Sequence, residues 1–387
     1  LIDSIKIDDI WIVLRHYPAI KVLFLSLEDV MNIGLDGVVA AETVLSHVDG
    51  AAGVLVLRGL PVEHAAASLD FEGVMTLLWR GFHPLADKGD AAIRQHLGQA
   101  RLAAWALVPR LLPGSQGLTP VEGLRLMLSG LPDAMEEDPA IMVTAAVPVF
   151  IAAQHRHAQG LAPIAPDATQ GHAADFLRML TGAPVAAALA RALDTYLVTV
   201  SDHGLNASTF AARIVASTRA GMVSGIVAGL CALKGPLHGG APGPVLDMLD
   251  GVGDAANAAP WVAGELAAGR RLMGFGHRIY RVRDPRAEVL KDAVRKLSSP
   301  RIQLAEQVEA AAIAALRQHR PDRPLETNVE FYTALLLDAV GLPRDLFTPV
   351  FAMGRVAGWA AHVMEQEATG RLMRPQSRYI GPVAVAA

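Results

Sequence analysis

Apolar residues recur at helical spacing along most of the chain, and only one short stretch reads as strand and turn. Val38–Leu45 leads to the turn dipeptide Asp49-Gly50, and Val54–Leu57 follows as a second apolar run, which predicts a β-hairpin. From Pro61 onward the spacing is helical. Phe71, Val74, Met75, Leu77 and Leu78 share one face, ending near Gly81. Thr119-Pro120-Val121-Glu122 predicts a helix start with a capping box. Breaks are expected at 133–139 and 160–167. An Ala-rich helical stretch runs through 202–240, bracketed by His203 and His238. Pro242 and Pro244 break the chain again before a helix over 245–249, a small-residue loop over 251–257 and a short helix over 261–269. Asp284-Pro285 predicts a sharp helix start. Further helices are expected over 301–318, from Asn328 to about Val340, and from Thr348-Pro349. Beyond Gly370 lies an extended tail with Arg371, Arg374 and Arg378.

Composition narrows the class. The 387 residues are 52% apolar but only 5% aromatic, which favours helix packing by Ala, Leu and Val over an aromatic-rich β core. The net charge is −4, and the lysines and arginines are scattered, so nothing points to nucleic acid as a partner. No apolar run approaches the ~20 residues needed to cross a bilayer. The single cysteine, Cys231, allows no intramolecular disulfide and reads as a small core residue in an apolar stretch. These features, with no signal peptide, lead to the expectation of a cytoplasmic protein.

Chemistry-bearing residues then stand out against that background. His238 lies in Gly235-Pro236-Leu237-His238-Gly239-Gly240, where the helix must stop and backbone can approach a ligand. A ring fixed at such a turn suits proton transfer. Leu272-Met273-Gly274-Phe275-Gly276-His277 has a Gly-x-Gly but no preceding strand, so no Rossmann unit is implied. Arg286 falls in the first turn of its helix, where its charge opposes the dipole and where it is free to hold a carboxylate. Glu330 sits among apolar residues. It reads either as an ordinary first-turn glutamate or as a desolvated base with a raised pKa. His155 and His157 read as an exposed helix end, and no metal-ligand spacing appears.

Six segments in order resemble the citrate synthase family: DHGLNASTFAAR, LKGPLHGG, MGFGHRIY followed by DPR, NVEFY, LFTPVFAMGRVAGWAAH and RPQSRYIGP. The resemblance spans roughly Gly34 to Gly381. It implies a mainly α, two-domain helical fold with a small N-terminal β-hairpin. Residues 1–33 would be an N-terminal extension of unassigned role, 34–241 with 346–387 a large domain, and 242–345 a small one. It implies a homodimeric acyltransferase that condenses acetyl-CoA with oxaloacetate through an enol and hydrolyses the resulting thioester, with no tightly bound cofactor and no metal. By the same resemblance Glu330 stands at the base position, His238 at the donor to the thioester oxygen, and His277 at the group polarising the ketone. His203, Arg286 and Arg355 would bind oxaloacetate, with Arg374 supplied to the other subunit's site. Leu272, Met273, Gly274, Phe275 and Gly276 would hold the CoA adenine end, and Arg323 a CoA phosphate.

The chain departs from the family pattern at three places. Glu330 stands where Asp is usual, Ala241-Pro242-Gly243 replaces the usual Ala-Asn-Glu, and Val200 occupies a position often taken by His. An extra methylene displaces the carboxylate by roughly 1.5 Å at most, a shift of the size that can cost ~10²-fold in rate. Two other readings follow: a 2-methylcitrate synthase using propionyl-CoA, and a non-catalytic CoA- or dicarboxylate-binding member.

Overall fold

The computed structural model describes residues 33–35, 37–239, 242–321 and 325–381. The chain divides into Leu1–Glu42 and Thr43–Ala387. In the first unit the described part is a single 3-10 turn, Ile33–Leu35, followed by chain without regular structure. The unassigned extension otherwise falls outside the described residues.

The second unit opens with a three-stranded antiparallel sheet, β1 (Ser46–Asp49), β2 (Val54–Leu57) and β3 (Leu60–Pro61). The hairpin lies where the sequence puts it, but its first strand is Ser46–Asp49 rather than Val38–Leu45. The turn sets the register: Asp49 faces Val54 and accepts the Ala51 and Ala52 N–H groups, so the four residues of β2 reach back only to Ser46. Residues 38–43 are left without a partner strand.

Among the described residues fifteen helices follow: α1 (Val62–Ser68), α2 (Phe71–Trp79), α3 (Asp90–Leu111), α4 (Pro120–Ser129), α5 (Pro139–Ala158), α6 (His172–Thr181), α7 (Ala187–Val200), α8 (Ala207–Ser217), α9 (Met222–Leu233), α10 (Pro242–Val252), α11 (Ala258–Ala267), α12 (Pro285–Lys296), α13 (Ile302–His319), α14 (Val329–Ala339) and α15 (Phe347–Thr369). The fold is mainly α with a small N-terminal sheet, as the sequence implies. The Glu122 carboxylate closes the start of α4 by accepting from the Thr119 N–H and hydroxyl. α15 runs through the middle of the core. From Pro349 to Val363 every residue is buried, as expected of a helix apolar on all sides. It packs on α2, α5, α7, α8 and α9, while α12 and α14 pack on each other and on α7. No described helix is long and apolar enough to cross a membrane.

Four local expectations are corrected. The stretch 202–240 holds two helices, α8 and α9, because Arg219 (φ 61°) and Gly221 (φ 103°) leave the helical region between them. α10 begins at Pro242, since prolines in a first turn forfeit no helix hydrogen bond. α15 starts at Phe347, ahead of Thr348-Pro349, and the Thr348 hydroxyl instead donates to the Gly239 carbonyl at 3.0 Å. Cys231 is exposed. The buried face of α9 is Met222, Val223, Gly225, Ile226, Gly229, Leu230 and Leu233, and position 231 falls on its opposite side.

Candidate active site

The segment from Leu272 to Arg283 has little regular structure and is held from two sides. On one side it pairs with the chain entering α14. Gly276 N–H donates to Glu326 O, Asn328 N–H to Gly274 O, and the Asn328 side chain to Gly276 O at 2.8 Å. On the other side the β1–β2 turn presses on it. Arg281 N–H donates to Gly50 O at 2.8 Å, and a Cβ at residue 50 would lie 2.2 Å from the Ile279 carbonyl oxygen. Only glycine permits that approach.

His277 is oriented by this loop. Its Nδ1 accepts the N–H groups of Ile279 (3.0 Å) and Tyr280 (3.1 Å). A neutral ring therefore carries its proton on Nε2. Burial, then the Arg286 charge, bring its pKa down to about 4, so the ring is neutral near pH 7. Arg286 Nη2 lies 3.5 Å from Nε2. Both are donors, so the pair faces a common space and does not bond across it. His203, contributed by the loop before α8, has Nε2 3.1 Å from the Tyr280 hydroxyl, and its ring meets His277 edge-on at 5.6 Å. Burial also keeps His203 neutral by lowering its pKa well below the ordinary value, with Arg286 and Arg355 adding to the effect.

Asp284 fixes Arg286 and resolves the unfavourable first-turn charge. Its Oδ1 caps α12 by accepting Arg286 N–H and also accepts Arg286 Nε (3.0 Å), while Oδ2 accepts Nη2 (2.8 Å). Oδ2 also accepts Val329 N–H at 3.1 Å. One carboxylate thus joins the starts of α12 and α14, and with them Arg286 and Glu330. Arg355, in α15, donates Nε to the Val200 carbonyl at 2.7 Å and lies 4.9 Å from the centre of the Phe351 ring. The contact to position 200 is made by backbone, so a valine there suffices. Burial lowers the Arg355 pKa to about 10, which leaves it charged near pH 7.

Glu330 is the second residue of α14, with Asn328 as cap. Burial raises its carboxyl to about 7, against the lowering pull of Arg286 and Arg355. Glu330 is half-buried, between its buried neighbours Val329 and Phe331, which lies between the ordinary first-turn reading and the fully desolvated one. His238 stands on the Arg355 side, its ring 6.3 Å from Phe351 and its Nε2 2.8 Å from the Ser208 hydroxyl. That hydroxyl accepts from Trp359 Nε1 at 3.2 Å. The Ser208 hydroxyl also lies 2.7 Å from Asn206 Oδ1, so its one proton goes either to that oxygen or to His238 Nε2. When that proton goes to Nε2, a neutral His238 carries its own on Nδ1 and is a donor there. Burial, then Arg355, lower its pKa to about 4.

A cleft of ≈ 410 Å³ adjoins His277. Leu272, Phe275 and Gly276 line it together with Arg270, Arg271, Arg278, His319 and Arg320. Met273 and Gly274 are not among its lining residues: Met273 packs toward the core and Gly274 abuts Phe331. Arg270 is paired with Glu265, whereas Arg271 and Arg278 have no ion-pair partner among the described residues. Arg323 lies outside the described residues. Arg374 is exposed on the tail that follows α15. Sequence reading missed Tyr280, Asp284 and Ser208 as partners. The Asp-Pro-Arg start held a signal for Asp284, but the other two contacts depend on the fold.

The citrate synthase C-terminal domain family model matches residues 34–376. A putative citrate synthase 2 of Mycobacterium tuberculosis is 38% identical, covering 90% of this chain and 92% of that protein. The 2-methylcitrate synthase of the same organism is 36% identical and covers 90% of each. The citrate synthase of Thermoplasma acidophilum, solved as a ternary complex with carboxymethyl coenzyme A and oxaloacetate, superposes with a TM-score of 0.81 at 27% identity, covering 92% of this chain and 98% of that one. With the family model matching most of its length, this chain belongs to the citrate synthase family.

Proposed function

We propose that the protein condenses acetyl-CoA with oxaloacetate and hydrolyses the product to citrate and CoA. The observation that carries the reading is the convergence of His203, His277 and Arg286 on Tyr280, with Arg355 and a near-neutral Glu330 in electrostatic reach. The two carboxylates of oxaloacetate suit Arg286, Arg355 and His203. Nε2–H of His277 donates to the ketone and then protonates the alkoxide formed there. Glu330 takes a proton from the thioester methyl while Nδ1–H of His238 donates to the thioester oxygen. The enol carbon bonds to the ketone carbon, and water then cleaves the thioester. A carboxyl raised to about 7 is a stronger base than an ordinary one, which suits so weak a carbon acid.

The cleft beside His277 is the proposed CoA site. Leu272, Phe275 and Gly276 flank the adenine, Arg271 and Arg278 meet phosphates, and Arg323 belongs to the same group. Residues 242–345 form the proposed small domain, which closes over oxaloacetate and brings Glu330 and His277 to His238. The active form is a cytoplasmic homodimer in which Arg374 completes the other subunit's site.

The test is CoA release by purified protein given oxaloacetate with acetyl-CoA or propionyl-CoA. A higher kcat/KM with acetyl-CoA is expected. The 2-methylcitrate synthase relative supports a second reading, and one methylene is worth only about 1–3 kcal/mol in a pocket. Preference for propionyl-CoA would establish that second reading, and no release with either from folded protein would refute both.

A further inference from the structure

Behind His203 lies a line of buried side chains that the chemistry above does not use. Asp202, Arg213, His362, Glu365 and Gln366 are all buried. Arg213 Nη1 lies 2.9 Å from His362 Nδ1 and 2.5 Å from Glu365 Oε2, and its Nε donates to Gln366 Oε1. A guanidinium only donates, so His362 Nδ1 accepts. The His362 proton is then on Nε2, which donates to Asp202 Oδ1 at 3.1 Å. Asp202 Oδ2 accepts the Ser46 hydroxyl, and the Ser46 oxygen accepts Gly204 N–H at 2.8 Å.

The residues on both sides of His203 are therefore tied down, Asp202 by His362 and Gly204 by Ser46. α15 reaches them through Gly358, where a Cβ would lie 2.2 Å from the Ser201 carbonyl oxygen. Every link has a fixed donor and acceptor, so the relay has one sense and one geometry. Its far end ties to the tail, where Gln366 Nε2 donates to Arg371 O at 3.0 Å.

We propose that His362 is a positioning residue for oxaloacetate: backed by Arg213, it holds Asp202, and with Ser46 it fixes the His203 ring at the carboxylate site. The proposal rests on His203 being an oxaloacetate ligand. His362 touches no substrate. Without it Asp202 loses its inner donor, the 201–204 loop is free to shift, and His203 leaves Tyr280. Oxaloacetate binding should suffer while acyl-CoA binding does not.

The experiment compares wild type, His362→Leu, His362→Gln and Ser46→Ala by oxaloacetate titration calorimetry and by KM for each substrate. His362→Leu should weaken oxaloacetate about 10- to 100-fold and leave the acetyl-CoA KM within about twofold. His362→Gln retains a donor toward Asp202 and an acceptor toward Arg213, and should recover most of the loss. Ser46→Ala, at the partly exposed end, should weaken oxaloacetate several-fold and covers the case in which His362→Leu does not fold. Wild-type affinity for oxaloacetate in folded His362→Leu, or in Ser46→Ala where His362→Leu does not fold, would overturn the positioning role. So would equal losses for both substrates, or no recovery by His362→Gln. Wild type that binds no oxaloacetate would overturn the functional reading instead.

Discussion

Glu330→Gln should abolish turnover and also make the protein more stable at alkaline pH. The carboxyl has an ordinary value of 4.5 and is held at about 7 in the fold, chiefly by burial. Because the folded value is raised, the favourable contribution is complete below 4.5 and is lost as pH rises from there through 7. By pH 8 the shift of about 2.5 units corresponds to about 3 kcal/mol against the folded state, but at pH 5 to only about 1 kcal/mol. Glutamine is neutral throughout and escapes this cost. With an unfolding entropy of about 2.1 cal/mol/K per residue, the gain is about 4 °C in Tm at pH 8 and about 1 °C at pH 5. Differential scanning fluorimetry of both proteins across that range is the assay, and wild-type kcat should fall tenfold per unit below pH 7 in parallel. An offset that is the same at pH 5 and pH 8 would refute the reasoning.

Other substitutions test separate parts of the site. His277→Ala removes the Nε2–H donor and should lower kcat by about 10²- to 10⁴-fold in a steady-state assay with saturating oxaloacetate. Arg355→Lys cannot both reach the Val200 carbonyl and offer a planar fork, so the KM for oxaloacetate should rise about 10²-fold with a smaller change in kcat. Ser208→Ala frees the His238 ring to change tautomer, and should cost about tenfold in kcat while calorimetric oxaloacetate affinity stays constant. Gly50→Ala should destabilise by about 1–3 kcal/mol in urea unfolding and lower kcat/KM, because its methyl displaces the carbonyl of Ile279 beside His277.

Local chemistry made the helix starts legible. Asp284, Asn328 and Thr119 each stand at the helix start their spacing predicts, because capping depends on residues within one turn. The burial of Val329 and Phe331 on either side of Glu330 was legible from their apolar character. Exposure of Cys231 was not, since an apolar run does not say which helix face meets the core. The first strand was misplaced because pairing, not strand propensity, decides where β1 begins. The partners of the histidines were hidden for a similar reason. Ser208 lies 30 positions from His238, Tyr280 lies 77 from His203, and Asp202 lies 160 from His362. No periodicity reports which side chains meet across such distances.

The contact of Gly50 with the Ile279–Arg281 segment bears on synthesis as well as catalysis. The hairpin emerges early from the ribosome, but the loop it braces and α15, which supplies Arg355, follow much later. On the proposed function, no translation intermediate short of α15 would hold a complete oxaloacetate pocket, so ligand could not stabilise one by mass action. Nascent chains thus gain protection from oxaloacetate only once almost complete, and resistance to proteolysis in its presence should appear abruptly with chain length. A bound dicarboxylate would then act as a check on completion, retaining full-length chains in preference to truncated ones.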